Sequence, residues 1–171
     1  MIPCYQICKD HQCPHWDERM LDCSLLPDDC DYVVEHLVGD RENQELDGEE
    51  HGLWRSWHKN GNLESEGNYI DGKEEGLHRY WQVNGQLEFE EPYVNGMLEG
   101  LCRSWNDVGR LRMEVFYVND NENGKFRCWN NDGTLVIEGN YVDGERNGTW
   151  LFWNDKGTLM KGEIYVAGVK Q

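Results

Sequence analysis

No run in the chain approaches the ~18 consecutive apolar residues of a membrane-spanning helix, so no helical span is expected. Proline is scarce, four residues against nineteen glycines, which argues against a Pro-rich linker and for many tight turns. Basic residues are also short: 16 Lys and Arg stand against 33 Asp and Glu, for a net charge of -17. Phosphate backbones are bound by basic patches, so nucleic acid is excluded as a partner, and anionic membrane surfaces are disfavoured for the same reason. A basic partner protein fits this charge. The opening MIPCYQICKDHQCPH has neither a basic stretch nor an apolar one after it, so no signal peptide is expected. With that, the seven cysteines read as reduced thiols in an intracellular, cytoplasmic chain.

What the chain does have is aromatic. Hydrophobic residues make up only 38%, so the eight Trp and eight Tyr must supply much of the burial. They recur. GLWRSWHKNGNL (52–63) returns 24 residues later as GLHRYWQVNGQL (76–87), and copies begin at Gly52, Gly76, Gly100, Gly124 and Gly148. The sixth residue is always Trp: Trp57, Trp81, Trp105, Trp129, Trp153. The tenth is always Gly, and the twelfth always Leu: Leu63, Leu87, Leu111, Leu135, Leu159. The eighteenth is always Tyr: Tyr69, Tyr93, Tyr117, Tyr141, Tyr165. A fixed short period means one supersecondary unit stacked on itself, and these Trp, Leu and Tyr series are its candidate core.

Asn60-Gly61, Asn84-Gly85 and Asp132-Gly133 are hairpin turn signals. The expected fold is all-β: an elongated single-layer antiparallel meander of five hairpins (52–75, 76–99, 100–123, 124–147, 148–171), about ten strands. At ~4.8 Å between strands it runs to roughly 50 Å. A second Gly follows the Tyr in four copies, and Asp120 replaces it in the third. Residues 41–51 read as a half-repeat or cap, since LDGEEHG parallels IDGKEEG.

The turn fixes the register. A two-residue type I′ turn would force Val108 and Lys156 to positive φ, so a type I turn closed by a glycine bulge is preferred. It sets Trp57 opposite Leu63. Simple alternation then puts Leu53, Ser65 and Tyr69 on that face, with Glu64 and Glu66 on an acidic face. One pattern resists this. The fourth residue is Arg in four copies (Arg55, Arg79, Arg103, Arg127) and the fifteenth is Glu in the same four (Glu66, Glu90, Glu114, Glu138). The last copy loses both together, as Leu151 and Gly162. Either the two pair across strands or the last copy is a cap that changes everything. These eight residues are the candidate partner-binding set.

The pattern G-x-W-x-x-W-x-x-x-G-x-L-x-x-E-x-x-Y-x-x-G resembles the MORN-repeat variant, a family found in giant-virus proteins and some bacterial antitoxins. The resemblance covers 52–171. It implies an elongated hairpin sheet used for protein–protein contact or scaffolding, with no active site and no cofactor. It also suggests a component of a large DNA virus particle or infected cytoplasm, or an antitoxin-like binder that neutralises a toxin. Self-association is a further expectation.

Residues 1–40 break the pattern and hold five of the seven cysteines. Cys4, Cys8, His11, Cys13 and His15 are a candidate zinc set, against the alternative of reduced thiols packed as small apolar residues. LPDDCDYVVEHLV (26–38) predicts one helix. It either caps the first hairpin or, resembling the opening of an F-box, serves a ubiquitin-ligase adaptor. No nucleophile motif or phosphate loop occurs. His51, His58 and His78 are expected at the surface, and Cys102 and Cys128 within packing.

Overall fold

A computed structural model describes residues 43–171. The candidate zinc ligands and the 26–38 helix lie outside those residues. The described part contains no helix. It is one antiparallel sheet of fourteen strands: β1 (Gln44–Leu46), β2 (Glu49–Trp57), β3 (Leu63–Ile70), β4 (Lys73–Trp81), β5 (Leu87–Val94), β6 (Met97–Leu98), β7 (Gly100–Trp105), β8 (Leu111–Val118), β9 (Asn121–Trp129), β10 (Leu135–Val142), β11 (Glu145–Arg146), β12 (Gly148–Trp153), β13 (Leu159–Val166) and β14 (Val169–Lys170). The count exceeds ten because two strands are split, into β6–β7 and β11–β12, and because short strands sit at both edges.

Two turn types alternate. After each sixth-position Trp comes a type I turn: Gly61 N–H donates to His58 O, and His58 N–H to Asn62 O, both at 2.9 Å. Gly61, Gly85, Gly109, Gly133 and Gly157 all have positive φ, and Val108 and Lys156 do not, as the bulged turn requires. Between hairpins lies a two-residue turn with both residues left-handed: Asp71-Gly72, Asn95-Gly96, Asn119-Asp120, Asp143-Gly144 and Ala167-Gly168. Asp47-Gly48 adopts the same conformation between β1 and β2.

The expected pair Trp57–Leu63 forms. The alternation drawn from it does not. A bulge leaves Glu64 without an opposite residue, so the next pairs are Ser56–Ser65, Arg55–Glu66, Trp54–Gly67 and Gly52–Tyr69. An extra residue in one strand flips every side chain beyond it to the other face. Ser65 and Tyr69 therefore lie on the face opposite Trp57 and Leu63, while Glu66 shares the face of Trp57. Among the described residues no all-acidic face exists.

The sheet thus has a tyrosine face and a ladder face. The buried side chains cluster on the first: His78, Cys102, Ser104, Val115 and Trp150. Trp150 is wholly buried. The invariant Trp and Leu series lie on the ladder face and none is fully buried; Trp57 remains 49% exposed and Leu159 53%. The invariant Tyr series is half-buried on the other face.

The core is built by size matching between neighbouring hairpins. The sixteenth residue of one copy lies beside the third residue of the next. Gly67 lies against the His78 ring, and Gly139 against the Trp150 ring, so closely that a Cβ at either glycine would overlap the ring. The other junctions along this line are Glu91 beside Cys102 and Val115 opposite Phe126. A large ring therefore follows a glycine. This overturns the surface expectation for His78, which is 2% exposed and bonded through Nε2 to Asn68 O at 2.9 Å.

Candidate functional site

The Arg and Glu series resolves into a continuous ladder. Cross-strand pairing puts Arg55 opposite Glu66, Glu66 opposite Arg79, Arg79 opposite Glu90, and so on to Arg127 and Glu138. Arg55 Nε donates to Glu66 at 2.7 Å, Arg79 Nε to Glu90 at 3.0 Å, Arg103 Nε to Glu114 at 3.2 Å and Arg127 Nε to Glu138 at 3.0 Å. Each glutamate also meets a second cation. The Nη1 atoms of Arg79, Arg103 and Arg127 reach back to the preceding glutamate at 3.7–3.8 Å. Lys125 closes the series on Glu138 at 3.3 Å. The hydrogen bond from Arg127 leads in holding the Glu138 carboxyl below its ordinary range.

The joint loss of Arg and Glu in the last copy is therefore a pairing effect: Leu151 and Gly162 sit opposite each other where the ladder stops. All four glutamates are already matched by arginine, which leaves them little charge to offer a basic partner.

Beside the ladder the same face carries apolar side chains among polar ones, which include Asn68, Lys73, Glu75, Lys125 and Asn140. Leu53, Leu77, Phe116, Ile70, Val94 and Val142 share it by register, and each is exposed. Leu77 faces Pro92, and Leu101 faces Phe116. Beside Leu101 and Phe116 a shallow hollow of about 430 Å³ opens, floored by Gly124 and flanked by Glu114, Lys125 and Arg127.

The tyrosine face differs. Burial leads in raising the Tyr69 hydroxyl, with the Glu74 and Glu50 charges adding to it, and its pKa reaches about 12. Tyr80, Tyr93 and Tyr117 are raised too, each mainly by burial. Burial, then the Glu91 charge, pushes the Cys102 thiol up to about 12, so it is not a poised nucleophile. Among the described residues no group of three or more His, Cys, Asp or Glu is arranged to hold a metal. His58 is largely covered, its Nε2 2.7 Å from Trp81 O in the next hairpin. His51 is half-exposed, 3.8 Å from Asp71.

Sequence reasoning singled out the Arg and Glu series but set them on opposite faces, and it missed the size matching. The available signal was the glycine at the sixteenth position, at Gly67 and Gly139, each followed eleven residues later by a large ring.

No curated protein matches the chain. Among solved structures, a mutant S. aureus TarM in complex with fondaparinux, α-GlcNAc-glycerol and UDP is similar at 13% identity and a TM-score of 0.38, covering 84% of this chain and 26% of that one. A second TarM crystal structure gives 12% identity and 0.37, over 82% and 26%. A GtfA/B complex bound to UDP and GlcNAc gives 17% and 0.25, over 64% and 22%. This chain thus spans about a quarter of those chains, and such scores carry no function across. The family model for the MORN repeat variant matches residues 50–71 and 122–143. Both segments run from just after one inter-hairpin turn to the start of the next and include the Trp, Gly, Leu and Tyr of one copy, so these two segments match the MORN repeat variant.

Proposed function

We propose that this protein is a non-catalytic scaffold that holds a partner protein against its ladder face. The repeat family is a non-catalytic, interaction type. The observation that carries the reading is the concentration of exposed apolar side chains on one face of an open sheet, around a ladder whose charges are already paired. A contiguous exposed apolar surface marks an interaction site, and paired charges cost less to cover than lone ones. The hollow beside Leu101 and Phe116 suits an apolar anchor from the partner. This reading moves the contact from the glutamates to the apolar rows beside them.

The test compares capture by the wild-type chain with capture by Leu77→Asp/Phe116→Asp, both from cell extract. Partners held by the wild type and lost by the variant support the reading. Identical capture places the contact elsewhere, and Val83→Ser, an exposed turn position, is the control that should change nothing.

A further inference from the structure

The first and last hairpins build the same aromatic frame with opposite charges around it. Trp54 and Trp150 hold the same place in the repeat, as do Tyr69 and Tyr165. The ring centroids of Trp54 and Tyr69 are 6.1 Å apart at 67°; those of Trp150 and Tyr165 are 6.3 Å apart at 71°. Each indole is anchored alike. Trp54 Nε1 donates to Gln44 O and Trp150 Nε1 to Asn140 O, both at 3.2 Å. The middle hairpins carry His78, Cys102 and Phe126 in place of the Trp.

In the last hairpin the frame already holds a cation. The Arg146 guanidinium lies 4.4 Å from the Trp150 ring centroid and 5.5 Å from that of Tyr165, and its Nη1 reaches the Tyr165 hydroxyl at 3.4 Å. In the first hairpin the residue equivalent to Arg146 is Glu50, and the equivalent of Lys170 is Glu74. Glu50 has no cationic partner among the described residues, and Glu45 stands directly opposite it. Like charges directly opposite repel, and a cation between them relieves that. Gly67 stands where the last hairpin has Glu163, and the His78 ring covers it. A hollow of about 210 Å³ lies beside Glu50, Trp54, Tyr69 and His78; Arg55 and Glu66, paired with each other, also line it.

We infer that Trp54, Tyr69 and Glu50 form a binding site for an external guanidinium, the arginine side chain of a basic partner segment. The ring faces attract the cation through their quadrupoles, and Glu50 supplies the opposite charge that Arg146 makes unnecessary at the other end. The site is on the tyrosine face, so it stands or falls separately from the ladder-face reading.

The test titrates methylguanidinium into the full chain, with methylurea as the neutral look-alike, and follows the tryptophan indole N–H signals by NMR. Methylguanidinium should shift the Trp54 signal saturably and leave Trp150, already covered by Arg146, unmoved. Methylurea should move neither. Glu50→Gln should weaken binding about threefold or more, since it removes the charge and keeps the shape. Glu50→Arg should abolish binding by filling the site from within. A Trp54 signal that does not shift, that follows methylurea equally, or that titrates unchanged in Glu50→Arg overturns the inference.

Discussion

Arg55 and Glu66 stand directly opposite each other across β2 and β3, joined through the guanidinium Nε and Nη2, both at 2.7 Å. They meet only because the bulge at Glu64 adds one residue to β3. The same offset of eleven residues recurs in three further hairpins, so one local irregularity, repeated, assembles a ladder across much of the sheet.

Removing one rung tests whether the ladder holds the sheet. Glu90 binds Arg79 and approaches Arg103, and its side chain is 17% exposed. Glu90→Gln should lower stability to urea by about 1 kcal/mol, since partly solvated ion pairs are screened. Asp132→Asn, at an exposed turn, should stay within about 0.5 kcal/mol. Equal stabilities would make the ladder incidental.

Size matching predicts a compensating pair. Gly139→Ala drives a methyl into the Trp150 ring and should cost about 1–3 kcal/mol in thermal unfolding. Gly139→Val with Trp150→Phe copies the Val115–Phe126 junction, and should lose less than the Gly139→Val change made alone. Strictly additive losses would show that the junctions do not match by volume.

The tyrosine column predicts stability at alkaline pH. Tyr69 titrates at about 12 in the fold against 10.0 unfolded, mainly through burial. A raised folded pKa means the native state holds its proton more tightly, so this contribution is complete below 10 and is lost as pH rises towards 12. The share of phenolate absorbance from Tyr69, Tyr80, Tyr93 and Tyr117 should therefore appear late and together with unfolding. Full ionisation near pH 10 with the sheet intact would contradict it.

Cys102 should be chemically quiet. It is 7% exposed with its pKa pushed up by burial, so a thiol reagent at neutral pH should label it only after denaturation. Rapid labelling of Cys102 in the native chain would show that the tyrosine face opens.

Much of this was legible in the sequence because the period is short and unbroken. Five Trp-to-Leu turns fixed the hairpins, and Val108 and Lys156 excluded the type I′ turn. The faces beyond the turn were not legible: the bulge at Glu64 leaves no residue signature that alternation can read, and a one-residue offset inverts the assignment. The covariation of Arg55 with Glu66, absent together at Leu151 and Gly162, carried the correct register. His78 looked like a surface residue because a histidine's burial depends on its neighbour, and Gly67 lies eleven residues earlier. The two tryptophans at the third repeat position, Trp54 and Trp150, gave no sign that one would be faced by a glutamate and the other covered by an arginine.

The central claim, that the ladder face is the contact surface, is tested most directly by footprinting the chain with and without a captured partner, using a reagent that labels exposed side chains. The account predicts protection at Leu53, Leu77 and Phe116 and unchanged labelling at Phe89, on the opposite face, and at Val83 in a turn. Protection of Phe89 with the ladder face still labelled would contradict it.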